Sequence, residues 1–463
     1  MKDNAFVNEE QIFNALENAD LSKEHINDIL AKAKECKGIS IEEAACLLQL
    51  TDKDLLEKLY EIAGYIKEQI YGKRIVFFAP MYVSNICANN CLYCAFRTGN
   101  KDLKRICQSP EEIENETLFL LREGHKRVLL VAGEHPKYSG IEYLEKAVAA
   151  IYKARYNGVG IRRVNVNCAP LSGEDFKRLK QCGIGTYQVF QETYHYDSYM
   201  KYHVSGPKRD MANRLLAPDR AIEAGIDDVG IGPLYGLYDF RFETLATLQH
   251  CEHLNALYNI GPHTISVPRL EPAQNAPVAE NIPYPVNEDI MRKIVATFRV
   301  AVPYTGIILS TRERAEFRNE LINLGVSQIS AGSRVGPGEY SKEEGLVESK
   351  DQFQLSDQRT LAQIIDVLLN DEFIPSFCTA CYRRGRTGET FMKHAKEGDI
   401  HEMCLPNALL SFREYLHDFA SDEVKAKANV VINKYVETLP DNMKGKVKEL
   451  IDNIDKGEKD QYI

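Results

Sequence analysis

No apolar run in this chain is long enough to span a bilayer, so a membrane-embedded helical protein is excluded and no membrane partner is expected. Basic residues never gather into a block. Lys and Arg total 57 against 67 Asp and Glu, a formal charge of −10, which argues against nucleic acid as a main partner. The opening residues, MKDNAFVNEE, lack the basic-then-apolar pattern of an export signal, and a cytoplasmic location is expected. There is no low-complexity tract. With 44% hydrophobic and 27% charged residues, a disordered or collagen-like chain is excluded. The 463 residues allow two or three domains, or one α/β barrel with extensions.

Against these absences stand twelve cysteines. In a reducing compartment disulfides are disfavoured, and clustered cysteines point to metal or redox chemistry. Six are clustered, as Cys87, Cys91 and Cys94 and then Cys378, Cys381 and Cys404. The other six (Cys36, Cys46, Cys107, Cys168, Cys182, Cys251) are scattered and read as small buried apolar residues.

Residues 1–73 read as a helical extension, with apolar residues at three- and four-residue spacing over 9–19, 23–36, 40–50 and 52–72. Ser40 with Glu43 forms a capping-box pattern. From Arg74 short apolar runs at 74–78, 127–131, 162–166, 186–190, 227–231, 264–268, 306–310 and 327–331 alternate with amphipathic segments at 110–124, 140–156, 172–183, 211–225, 241–258, 287–301 and 312–325. That count and span predict an α/β fold, a (β/α)8 TIM barrel over 74–340, with a doubly wound open sheet as the alternative. Arg163, Asn165 and Asn167 share one face of the third strand by period two, and if that face is inward the barrel interior is polar. Residues 332–359 read as a loop. Residues 341–463 are expected to form a mainly helical C-terminal domain carrying the second cysteine group.

Cys87-x3-Cys91-x2-Cys94 follows the first strand, at the C-terminal rim where barrel enzymes place their chemistry. Three thiolates hold three irons of a cubane and leave the fourth open, whereas an electron-transfer cluster uses four cysteines. A zinc site usually adds a fourth protein ligand close by, and none follows here. The spacing resembles that of the radical S-adenosylmethionine (SAM) enzymes. The resemblance implies a [4Fe-4S] cluster whose open iron binds SAM and whose electron releases a 5′-deoxyadenosyl radical. It also implies adenine near Tyr93, the SAM amino group near Gly133 and Glu134 at the end of the second strand, and adenine against Gly230 and Ile231 at the end of the fifth. Arg163, Asn165 and Gln188 are further candidate SAM contacts.

For Cys378-x2-Cys381-x22-Cys404 a zinc ribbon is the alternative, with His394 or His401 as fourth ligand. The run Cys378-Thr379-Ala380-Cys381-Tyr382-Arg383-Arg384-Gly385-Arg386-Thr387-Gly388, with Cys404-Leu405-Pro406-Asn407-Ala408, resembles the HydG family of tyrosine lyases that mature [FeFe]-hydrogenase. Residues 188–194 and Ser310-Thr311-Arg312-Glu313 are similar to elements shared with ThiH, the tyrosine lyase of thiamine synthesis. The resemblance implies cleavage of the Cα–Cβ bond of L-tyrosine to p-cresol and dehydroglycine. Dehydroglycine then yields CO and cyanide at an auxiliary [4Fe-4S] cluster with an additional iron, giving an Fe(CO)2(CN) precursor of the H-cluster. It implies His263 as ligand of the additional iron, and as partners the HydF scaffold, HydE and a ferredoxin or flavodoxin. Arg312 suits the tyrosine carboxylate, with Ser330 adding a hydroxyl. A ThiH-type lyase without diatomic products, and a non-enzymatic zinc- or cluster-bearing assembly protein, are the competing readings.

Overall fold

The computed structural model describes residues 5–342, 352–397 and 400–463. Eight parallel strands close into a barrel: β1 Arg74–Ser84, β2 Arg127–Ala132, β3 Arg163–Asn167, β4 Thr186–Gln188, β5 Asp228–Ile231, β6 Thr264–Ser266, β7 Gly306–Leu309 and β8 Gln328–Ser330. Closure runs through β1, which pairs with β8 at Phe77–Ile329 and with β2 at Ala79–Val128.

A ninth strand, β9 Ile374–Ser376, was not legible in the sequence. It pairs with β1 at Arg74–Val76, below the stretch that takes β2. Three residues with a central proline are too short to show alternation, so only the vacant lower edge of β1 selects this segment.

The pleat sorts β3 by side. Val164 and Val166 pack outward with Leu144, Val148 and Ile151. Arg163 and Asn165 are buried on the opposite face, and Asn167 borders the cavity inside the barrel. The β3 face of the interior is therefore polar, as the period-two pattern predicts, whereas Phe78, Leu129, Val131 and Ile308 from β1, β2 and β7 make the facing wall apolar.

Of the N-terminal helices α1 Glu9–Glu17, α2 Lys23–Ala33, α3 Ile41–Leu48 and α4 Lys53–Tyr71, α1, α3 and α4 lie against the barrel's outer helices and α2 packs on α3 and α4. Leu59, Ile62, Ile66 and Ile70 form the buried stripe of α4, in one core with Phe298 and Phe317. The capping box of α3 is present: Glu43 N donates to Ser40 Oγ at 3.2 Å and Ser40 N to Glu43 Oε2 at 2.7 Å. Residues 211–225, expected as one helix, divide into Met211–Leu215 and Ala217–Glu223, because Pro218 opens the second. Part of the expected loop, residues 343–351, lies outside the described residues; on either side of it Val335, Phe353 and Leu355 are buried. The C-terminal segment is mainly helical. Its helix Ile400–Phe419 carries Cys404 and packs against β9 and α4. Among the described residues no helix is long and apolar enough to cross a membrane.

Candidate active site at the two ends of the barrel

The upper site is built by the loop after β1. Arg105 pins that loop by donating to the carbonyls of Asn85, Phe96, Arg97 and Asn100 at 2.9, 2.7, 2.6 and 3.0 Å. Asn89 joins the neighbouring loops: its Nδ2 donates to Glu134 Oε2 at 2.8 Å, and its Oδ1 accepts from Lys208 N at 2.8 Å. Gly133 is required at the end of β2, since a Cβ there would stand 2.7 Å from the Ile86 carbonyl and 3.3 Å from Cys87 Cβ.

Cys87, Cys91 and Cys94 all line one cavity of about 220 Å³. All three are free thiols. Burial pushes Cys91 up to about 12 and Cys94 up to about 11, opposed by Lys208. Thiolates there are costly without a bound cation, and iron would supply it. Among the described residues no three His, Cys, Asp or Glu side chains converge as ligands of a single metal ion. A cubane does not require such convergence, because each cysteine binds a different iron. The residues present fit a three-cysteine cluster.

The same cavity holds Tyr93, Gly133, Glu134, Gln188, Arg312 and Ser330. Tyr93 shares a hydrogen bond with His203 Nε2 at 2.8 Å. Arg312 does not pair with Glu313 or Glu316, which are held by Arg269 and Arg314. Its guanidinium lies 3.4 Å over the Phe353 ring, and one N–H donates to the Arg269 carbonyl at 3.2 Å. The buried Ser330 hydroxyl has no hydrogen-bond partner among the described residues. Glu192, within the ThiH-like stretch 188–194 but given no role there, and Lys208 and Arg214, which no motif marked, also line this cavity. Glu192 holds a left-handed φ of 71°, and its carboxylate lies 2.5 Å from Lys208. Such strain is common where a chain must aim a side chain into a site.

Four expected SAM contacts are not among the residues lining this cavity. Arg163 begins β3 and so lies at the barrel's lower end, over the Tyr382 ring, with its Nη2 2.9 Å from Thr186 Oγ1. Asn165 lies between, accepting from Thr186 N at 3.1 Å. Ile231 faces outward by the pleat of β5 and joins the outer core, whereas Leu234 further along reaches the cavity. Gly230 faces inward at mid-barrel, where a Cβ would meet Thr264 Oγ1 at 2.6 Å and Gln188 Cγ at 2.8 Å.

The lower site forms where β9 delivers Cys378 beneath β2. Arg127 Nη2 donates to the Cys378 carbonyl at 2.9 Å. Cys378, Cys381, Cys404 and His263 line one small cavity, with Arg74 and Arg127 beside them. Burial raises the Cys378 thiol, and Cys404 and burial raise Cys381. His263 precedes β6, its Nε2 3.3 Å from the Tyr382 hydroxyl and its Nδ1 3.7 Å from Asp228 Oδ1. Burial lowers its pKa to about 4, so the ring is neutral, the ligating form. Three thiols and a neutral imidazole in one cavity fit a cluster with a further iron. His394 is not among the residues lining this cavity, and the His401 side chain lies outside the described residues.

Comparison with known proteins agrees with this geometry. The radical SAM superfamily model matches residues 81–250, and the biotin and thiamin synthesis associated domain model matches 266–374. The fold and its three-cysteine loop are those of a radical SAM enzyme. The chain is 31% identical over 311 residues to the 2-iminoacetate synthase of Escherichia coli (strain K12), covering 67% of this chain and 80% of that protein. It is 47% identical to a crystal structure of HydG, a maturase of the [FeFe]-hydrogenase, with a TM-score of 0.95 and coverage of 99% of this chain and 100% of that one. The HydG of Carboxydothermus hydrogenoformans is 43% identical, with a TM-score of 0.83 over 96% of this chain and 97% of that one. The chain belongs to the HydG family of tyrosine-cleaving radical SAM maturases.

Proposed function

We propose that the upper site cleaves L-tyrosine to p-cresol and dehydroglycine, and that the lower site converts dehydroglycine to CO and cyanide for an Fe(CO)2(CN) precursor of the hydrogenase H-cluster. The atoms balance, since dehydroglycine equals CO, HCN and one water. The observation that supports this reading is the arrangement itself: two cysteine triads at opposite ends of one barrel, with buried polar side chains along part of its interior.

Cys87, Cys91 and Cys94 would hold a [4Fe-4S] cluster that, with SAM, supplies the 5′-deoxyadenosyl radical. Glu134 and the Gly133 backbone face the same cavity and suit the SAM amino group; Tyr93 offers a flat apolar wall for adenine. Arg312 and Ser330 hold the tyrosine carboxylate at the same end. Thr186, Gln188, Thr264 and Gln328 give the interior hydroxyls and amides along which a small polar product passes down. Cys378, Cys381 and Cys404 would hold the auxiliary cluster, with His263 on its additional iron.

Anaerobic reconstitution with iron and sulfide, followed by SAM, L-tyrosine and dithionite, tests the reading. The wild type is expected to release deoxyadenosine, p-cresol and CO. The triple Cys87, Cys91, Cys94→Ala variant is expected to give none of them. Cys378→Ala with Cys381→Ala is expected to keep p-cresol and lose CO. A wild type that gives p-cresol without CO supports a ThiH-type lyase instead.

A further inference from the structure

The acids among the described residues lining the upper cavity are Glu134, Glu192 and Glu271. Glu134 is held by Asn89 at 2.8 Å and Glu192 by Lys208 at 2.5 Å. Glu271 has no hydrogen bond or ion pair with any described residue, although it faces Arg312 closely enough to feel its charge. It follows β6 by five residues and so stands at the upper rim. The neighbouring Arg269, which would otherwise neutralise it, is taken up by Glu313. A carboxyl and a guanidinium that both line one cavity, neither with an ion-pair partner among the described residues, match the two charges of an amino-acid zwitterion.

We propose that Glu271 accepts the substrate's ammonium group opposite the carboxylate held by Arg312, and removes its proton before the radical step. One proton moves from the substrate nitrogen to a Glu271 oxygen, and no electron moves. The step has a chemical purpose: dehydroglycine gains a C=N bond as the Cα–Cβ bond breaks, which is the scission of a nitrogen-centred radical, and an ammonium nitrogen has no lone pair to stabilise such a radical, whereas a neutral amine has. The proposal rests on reading this cavity as the tyrosine site. Burial raises Glu271 to about 7; Arg312 and Arg269 oppose this and Glu313 adds to it. A carboxyl in that range is suited to proton exchange near neutrality.

The test uses reconstituted holoenzyme with SAM, as wild type and as Glu271→Gln, Glu271→Asp and Arg312→Lys. Binding of L-tyrosine is compared with that of 3-(4-hydroxyphenyl)propanoate, which lacks only the amino group. The wild type should prefer tyrosine, and Glu271→Gln should lose about tenfold or more of that preference. The p-cresol rate should fall about a hundredfold. The wild-type kcat/KM should rise with pH to a plateau above about 7. That limb should vanish in Glu271→Gln and persist in Glu271→Asp. Retained preference and an unchanged limb in Glu271→Gln overturn the proposal. If Glu271→Gln fails to hold iron, Glu271→Asp decides, since a limb absent there overturns it as well. Arg312→Lys separates the two levels: unaltered binding of both ligands overturns the tyrosine-site reading itself. Weakened binding there with an unaffected Glu271→Gln overturns only the role of Glu271.

Discussion

His263 shows how much a single residue depends on its setting. A lone histidine in a loop is usually not a ligand, and its neighbours in sequence, Pro262 and Thr264, carry no metal chemistry. What distinguishes it is a cavity shared with three cysteines and a buried Nδ1 without a hydrogen-bond partner among the described residues, 3.7 Å from the Asp228 carboxylate. A ligating histidine usually turns its second nitrogen to such a group. His263→Ala is expected to leave both cubanes and p-cresol production near the wild-type level, and to lower both CO yield and the iron content beyond two cubanes. Iron counting with electron paramagnetic resonance checks this, and an unchanged additional-iron signal would show that the ring is only a packed side chain. Ile231 and Arg163 teach the converse. Both were expected at SAM, yet the pleat turns one outward and strand depth puts the other beside Tyr382.

Among the elements, β1 organises the molecule. Its upper end launches the cysteine loop, its upper edge takes β2, and its lower edge takes β9. One strand thereby sets both sites on a common frame. The loop's position depends on close backbone approach at Gly133, where the nearest obstacle to a side chain is the Ile86 carbonyl. A carbonyl cannot swing aside as the end of a flexible side chain can. Gly133→Ala is expected to cost about 1–3 kcal/mol through overpacking. It should also reduce iron retained by the upper site while leaving the lower one loaded. Chemical denaturation checks the first part. Iron quantification of Gly133→Ala in a Cys378→Ala, Cys381→Ala background reads the upper site and in a Cys87, Cys91, Cys94→Ala background the lower one, and full retention of upper-site iron would show that the loop can retreat.

For the molecule as a whole, buried ionisable groups set a pH dependence apart from catalysis. Glu243, on the helix Phe240–Tyr258, is fully buried and accepts from Thr193 Oγ1 and, at 2.8 Å, from Tyr194 N. Burial raises its pKa from 4.5 to about 8 despite those bonds. The folded chain then binds a proton that the unfolded chain has released between those two values. The stabilisation is full below pH 4.5 and is lost as pH rises towards about 8, by up to about 1.4 kcal/mol per pH unit. Glu243→Gln lacks this dependence. The wild-type stability minus that of Glu243→Gln should therefore decline as pH rises across the window, read from urea-unfolding midpoints. A difference independent of pH would show that the carboxylate is ionised throughout.

Local features were legible in the amino-acid sequence alone. Eight strand positions, the four N-terminal helices, the Ser40–Glu43 cap and the side to which each β3 residue points follow from periodicities of two and 3.6, which neighbouring residues impose on one another. Cys87, Cys91 and Cys94, and the pair Cys378 and Cys381, were equally legible, because ligands within a short loop keep a fixed spacing; Cys404, on the helix Ile400–Phe419, was joined to them by the family resemblance. Features that depend on distant segments meeting came from the packing of the whole chain. Packing placed β9, which reads only Ile374-Pro375-Ser376, on the free lower edge of β1. It brought His263, with Asp228 behind its ring, to the C-terminal cysteines, and left Glu271 in the cavity of Arg312 without a partner among the described residues. Those meetings carry no spacing signal along the chain, because closure of the barrel, and not local propensity, sets which loops share an end.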